Sequence, residues 1–240
     1  MSQDIDTALG GWEYKPGVVQ ARLVEAGDSR EVIQMRVDLG LLQLETTGRP
    51  DGARPFGCAT ILDHLRKQVR GRSDFVLSEE QCAEADREFL QFYHRRLCWL
   101  ALHRFDQAVA DADHTLALMD FVRDHSPGDE YTQAHEQYRG FVLFHRTQAA
   151  AALAIEQDKP EAAVDAIRAG LEGIRAFYAG FEAEEQMEED ALVRRLREME
   201  RLLREKHHID ATLREQLDEA IAREDYERAA QLRDALRRRE

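Results

Sequence analysis

His94 and Cys98 stand one helical turn apart in "YHRRLC", a spacing that could present two ligands to a zinc ion. Spacing places no third ligand, so the pair reads as a core histidine beside a buried thiol, and no metal site is expected. His135 and His145 are read as sharing a helix but not a face. A second constellation lies in "GRPDGARP", Gly48 to Pro55, where Arg49, Asp51 and Arg54 could hold an anion on a Gly/Pro-rich loop. A turn ending a strand explains the same residues, with Pro50 early and Gly52 late. Cys58, Cys82 and Cys98 are odd in number and widely spaced, which suggests neither a disulfide framework nor a zinc module. Nothing arranges Ser/His/Asp or Cys/His for nucleophilic work, and no "GxxxxGK[ST]" phosphate loop is present. The expectation is a chain that is not an enzyme and carries no cofactor.

Charge narrows the partners. The net charge is −14, whereas an extended grip on duplex DNA or RNA needs a basic footprint. From Gln186 to Glu240 there are 13 Lys and Arg against 15 Asp and Glu, a net of −2, and the first 185 residues carry 20 against 32. Only the tail is near balance, so only the tail can approach an acidic partner without strong repulsion. "MSQDIDTALGGW" is acidic without an apolar core segment, and the longest apolar run, Ala149 to Ile155, is too short to span a bilayer. A bacterial, cytoplasmic protein without membrane contact is expected.

Periodicity then supplies the elements that must position these residues. "VVQARLVEA" and "VIQMRVDLGLLQLE" flank "GDSRE", and in the second run Ile33, Met35, Val37, Leu39 and Leu41 alternate with other residues. Period two across a Gly-Asp-Ser turn predicts an antiparallel hairpin over roughly 18–45. From Cys58 the period becomes helical. Ile61, Leu62, Leu65 and Val69 share one face of a short helix, and a long helix runs from Ser78 to His103, with Ser78 as its N-cap.

"FYHRRLCWLALHRFDQAVADADHTLALM" and "HRTQAAAALAIEQDKPEAAVDAIRAGLEGI" then repeat one layout at an offset of 55, Ala108 aligning with Ala163. They resemble tetratricopeptide units lengthened beyond the usual period, and "HSPGDE" breaks the chain between them. An ordinary antiparallel helix bundle is the other reading. After Tyr178, charges alternate around a narrow seam of Met187, Leu192, Leu196, Met199 and Leu203, as in a solvated helix. The expected segments are 1–57 for the β-hairpin and Gly/Pro loop, 58–185 for the helical body, 186–209 for a charged connecting helix, and 210–240 for a terminal helical hairpin. The class is mainly α.

The terminal hairpin carries the most specific pattern. Leu213, Leu217, Ala220 and Ile221 form the stripe of one helix, Asp225 caps the next, and Tyr226, Ala229, Ala230, Arg233 and Leu236 follow at helical spacing. Together with "EDYE" at Glu224 to Glu227 and "LRD" at Leu232 to Asp234, these residues resemble the UVR motif of UvrB and UvrC. Similar segments occur in McsA, the activator of a protein arginine kinase, and in ClpC-type chaperones. The resemblance covers under an eighth of the chain and implies a protein–protein docking device. Leu217, Ile221, Tyr226, Ala229, Ala230, Arg233 and Leu236 are its candidate partner-binding residues, and Arg233 is expected to reach an acid of the facing helix. The implied partner is a UvrB/UvrC-like protein, a Clp- or arginine-kinase-like protein, or a second copy in a homodimer. The leading expectation is a non-enzymatic adaptor. Its rivals are an accessory factor recruited to excision repair and a ligand-binding protein using the Gly48–Pro55 loop.

Because no basic face is expected, the intact protein should leave duplex DNA unretarded in a gel-shift titration at physiological salt. Sequence-independent, salt-sensitive retardation at micromolar protein would contradict the charge argument.

Overall fold

The computed structural model describes residues 5–71 and 74–238. It divides into two compact units, Met1–Val142 and Leu143–Glu240. A short helix α1 (Asp6–Leu9) precedes the antiparallel strands β1 (Gln20–Glu25), β2 (Glu31–Val37) and β3 (Gly40–Glu45), in sheet order β1-β2-β3. The expected two-strand hairpin is therefore a three-strand meander. The run read as one strand is cut at Asp38 and Leu39, so that Val37 pairs with Gly40, Met35 with Leu42 and Ile33 with Leu44. Leu39, taken as part of the alternation, is 91% exposed at the turn. A two-residue turn shifts the inward positions from odd to even numbers, and Leu41-Leu42 hides that shift within one apolar run.

Beyond β3, the Gly52 amide donates to the Arg49 carbonyl at 2.9 Å, and Gly52 takes the left-handed φ of 73° that makes glycine apt there. This is the turn expected at "RPDG". Thr60 then caps α2 (Ile61–Gln68), which buries Ile61, Leu62 and Leu65. Next come α3 (Glu79–Ala101), opened by a capping box of Ser78 and Gln81, then α4 (Phe105–His125), α5 (Asp129–Glu136) and α6 (Arg139–Glu156). The break near 125–130 is present, and the stretch after it also holds α5. His135 lies on α5 and His145 on α6, so they do not share a helix.

The first unit buries charges that a search for apolar periodicity passes over. Glu88 is fully buried on α3. It accepts the Ile61 and Leu62 amides at 2.6 and 3.3 Å and meets His114 Nε2 at 2.8 Å. Its carboxylate thus satisfies the two amides at the positive end of α2. Arg95 forms a two-pronged pair with Asp111 of α4, at 2.9 and 2.7 Å. Its remaining terminal nitrogen donates to the carbonyls of Glu45 and Gly48, at 3.0 and 2.8 Å. One guanidinium therefore joins α3, α4 and the end of β3, and a buried pair with all its partners met specifies geometry more than it adds stability.

In the second unit, α6 supplies Phe144, Ala151 and Ala154 to a core completed by α7 (Pro160–Ala179), α8 (Glu184–Met187) and α9 (Ala191–His207). A Cβ at Gly170 of α7 would lie 1.9 Å from Thr147 Oγ1 of α6, so only glycine permits that approach. The expected charged helix is α9, and Val193 and Leu196 bury its seam. Two last helices, α10 (Leu213–Ala222) and α11 (Tyr226–Arg237), form a hairpin. The division of the chain falls inside α6, so α3/α4 and α7 belong to different units, and the terminal hairpin belongs to the second.

One local device closes three helical hairpins. His103, Asp158 and Glu224 are left-handed, with φ of 56, 57 and 59°. The following amides of Arg104, Lys159 and Asp225 reach back five residues to the carbonyls of Trp99, Ala154 and Ala220, at 2.9, 2.9 and 2.8 Å. This is a Schellman ending whose last residue is also the N-cap of the next helix. Across each turn two residues meet burial together: Trp99 and Ala108, Ala154 and Ala163, Ala220 and Ala229. The offset of 55 in the sequence is the spacing of the first two turns.

Replacing Glu88 by alanine strands two buried amides and removes the partner of His114. We expect Glu88→Ala to destabilise the protein by about 3 kcal/mol in chemical denaturation, with Glu88→Gln milder because its amide oxygen still accepts one bond.

Candidate functional site

The terminal hairpin is built from its caps inward. Thr212 and Glu215 form a capping box at the start of α10: Glu215 N donates to Thr212 Oγ1 at 3.2 Å, and Thr212 N donates to Glu215 Oε2 at 2.7 Å. Asp225 caps α11 by accepting the Arg228 amide at 3.0 Å, as its position predicted. Between the helices Ala220, Ala229 and Leu232 are buried, with Leu213 and Leu217 packed against them. The two small residues let the helices pack closely beside Leu232, which sequence reasoning had noted only within "LRD".

The candidate partner-binding residues therefore divide. Leu217 and Ala229 belong to the hairpin's own core, and Ala230 and Leu236 are half-buried. Ile221 and Tyr226 are 53% and 69% exposed, on either side of the turn. Ile221 thus leaves the stripe of Leu213, Leu217 and Ala220. Arg233 does not reach the facing helix as expected. It lies exposed, 3.4 Å from its neighbour Asp234. Because Tyr226 is the first residue of α11, its ring has no preceding turn of helix to lie on, and it is left outside.

Polar contacts hold the hairpin to the rest of its unit. Thr212 Oγ1 donates to Asp165 Oδ1 of α7 at 2.6 Å. Glu215 lies 2.7 Å from Arg204 of α9 and 3.4 Å from Arg168 of α7. Burial pushes the Glu215 carboxyl up, but the bonds from Arg204 and the Thr212 amide outweigh it and hold it below its ordinary value. A depressed carboxyl stabilises the folded state at neutral pH, and this contribution is lost as pH falls through its folded value. Thr212, Glu215 and Arg204 were not foreseen. The signal available was a threonine followed three residues later by glutamate ahead of an apolar stripe.

The earlier candidates resolve differently. Arg49 is buried, and Asp51 grips it at 2.9 and 2.7 Å while Glu84 of α3 pairs with its other nitrogen. Arg49 holds the Asp51 carboxyl well below the usual carboxylate range. The guanidinium is thus neutralised from within and ties the loop to α3, so the loop lacks the anion site that Arg49, Asp51 and Arg54 could have formed. Arg54 is exposed. Cys98 is fully buried and its thiol is pushed up to about 12 by burial, a protonated group rather than a ready thiolate ligand. Among the described residues no group of three His, Cys, Asp or Glu could hold a metal ion, and no helix is long and apolar enough to cross a membrane.

Taken together, these are the features of a mainly helical chain with a small N-terminal antiparallel sheet and a terminal helical hairpin. Residues 211–238 match the family model of the UVR (UvrB/uvrC) motif, so the chain carries that motif. In UvrB/UvrC-type proteins it mediates protein–protein interaction. No curated protein and no solved structure matches the chain.

Asp225→Ala should cost the hairpin about 1 kcal/mol by uncapping α11. Amide exchange at Arg228 and Ala229 should rise, while amides of α7 and α9 stay unchanged.

Proposed function

We propose that this protein is a non-enzymatic adaptor that docks a protein partner through the tip of its UVR hairpin. The observation that carries the reading is the exposure of Ile221 and Tyr226 at a turn whose core residues, Ala220 and Ala229, pack on each other instead. Exposed large apolar residues beside a polar rim are where interface energy concentrates, and tyrosine is prominent among such anchors. The near-neutral charge of the last 55 residues supports the same reading, because it removes the repulsion that the rest of an acidic chain would impose. The matching turns of α3/α4 and α6/α7 support a tetratricopeptide-like body, in keeping with a cytoplasmic scaffold that needs no cofactor. Recruitment to UvrB or UvrC is the alternative partner assignment, and a homodimer through paired hairpins is another.

The test compares the full chain with a chain lacking residues 210–240, both against purified UvrB and UvrC, and alone in sedimentation. Tyr226→Ala and Ile221→Asp should each weaken association by about 2 kcal/mol or more, roughly 30-fold. The melting temperature should not change, because neither side chain is in a core. Melting that falls with association intact would place Tyr226 in the stability of the chain and remove the docking reading.

A further inference from the structure

We infer that the UVR hairpin is a detachable arm, held on α7 and α9 by a polar clasp and free to swing as one piece about residues 208–211. The two cores of this unit are separate. Ala220, Ala229 and Leu232 form one cluster, and the residues of α6, α7, α8 and α9 form another. A cleft of about 690 Å³ lies between α7 and the hairpin, lined by Pro160, Ala162, Ala166, Ala169, Leu213 and Leu236. Apolar groups thus face each other across a gap whose rim also carries Asp158, Lys159, Glu161, Asp165 and Arg214. The bonds that join the hairpin to the body include Asp165–Thr212 and the Glu215 carboxylate set between Arg168 and Arg204.

The pivot is visible in the backbone. His208 is left-handed at φ 54°, and the Ile209 amide closes the end of α9 on the Arg204 carbonyl at 3.0 Å. Asp210 and Ala211 then run exposed to the cap at Thr212. Arg204 touches both sides of this pivot, since it also donates to the Asp210 carbonyl at 3.2 Å. Opening the clasp leaves the hairpin's caps intact, because Thr212 and Glu215 satisfy each other. It uncovers in full Leu213 and Leu236 together with the alanines of α7, which the closed cleft exposes only in part, so a second apolar surface is complete in the open arm.

The test is hydrogen exchange by mass spectrometry on the full chain, comparing wild type with Asp165→Ala/Arg204→Ala. Both substitutions lie on the body side and leave the hairpin's capping box untouched. We expect exchange over 208–212 to rise about tenfold in the variant, while the Ala229 amide, bonded to Asp225, keeps its protection. Wild type in 1 M salt should move toward the variant, because screening acts within about 3 Å there. Unchanged exchange over 208–212 in the variant would overturn the inference. Loss of protection throughout α10 and α11 would do so too, since the arm would then unfold rather than swing. No partner enters this measurement, so its failure is distinguishable from failure of the docking reading.

Discussion

Three helical hairpins, α3/α4, α6/α7 and α10/α11, depend on one backbone constraint, the left-handed residue that ends the first helix. A Schellman ending satisfies two carbonyls that would otherwise be stranded, and the residue after it starts the next helix at once. There is no slack in such a turn, so the direction of the second helix is set by the first. Glycine is the usual occupant, because a side chain in the left-handed region costs about 1 kcal/mol or more. This chain instead uses His103, Asp158 and Glu224. The cost is offset by what the turn makes possible: the buried pair across it, Ala154 with Ala163 or Ala220 with Ala229, brings the two helices together from their first turn. The UVR hairpin is thus a short version of the two larger hairpins rather than a foreign appendage.

How much of this was legible depends on what kind of interaction does the positioning. The repeat at offset 55 could be read because small residues and turn residues recur in the string. The third strand could not, because the two-residue turn at Asp38-Leu39 carries neither glycine nor asparagine, and apolar residues continue through it. The pair of Arg95 with Asp111 and the capping of α2 by Glu88 were invisible for another reason. Charged residues on a helix are read as solvated by default, and only the fold shows that these face inward. The "GRPDGARP" loop shows the converse: its residue types suit an anion, yet Glu84, 35 positions away, already occupies the place. In the tail, pattern gave the Asp225 cap and most of the stripe but missed the capping box of Thr212 and Glu215 and misassigned Ile221 and Arg233. Two faces of a short helix differ by one residue in register, and only packing decides between them.

The hairpin's size makes it depend on something outside itself. A core of Ala220, Ala229 and Leu232, with two leucines at its edge, is too small to be stable without support. Support can come from the body through the clasp, or from a partner covering Ile221 and Tyr226. These faces are different, since the clasp engages Thr212 and Glu215 at the far end of α10 from the turn. A partner at the tip therefore need not break the clasp, whereas a partner that seeks Leu213 and Leu236 must. The free energy of holding the arm down is then subtracted from the affinity of the second kind of partner and not from the first. Polar contacts suit that role: water takes over the bonds of Thr212, Glu215 and Arg204 when the arm lifts, so the net worth of each is modest, and the arm is ordered when alone yet released by an interface of modest size.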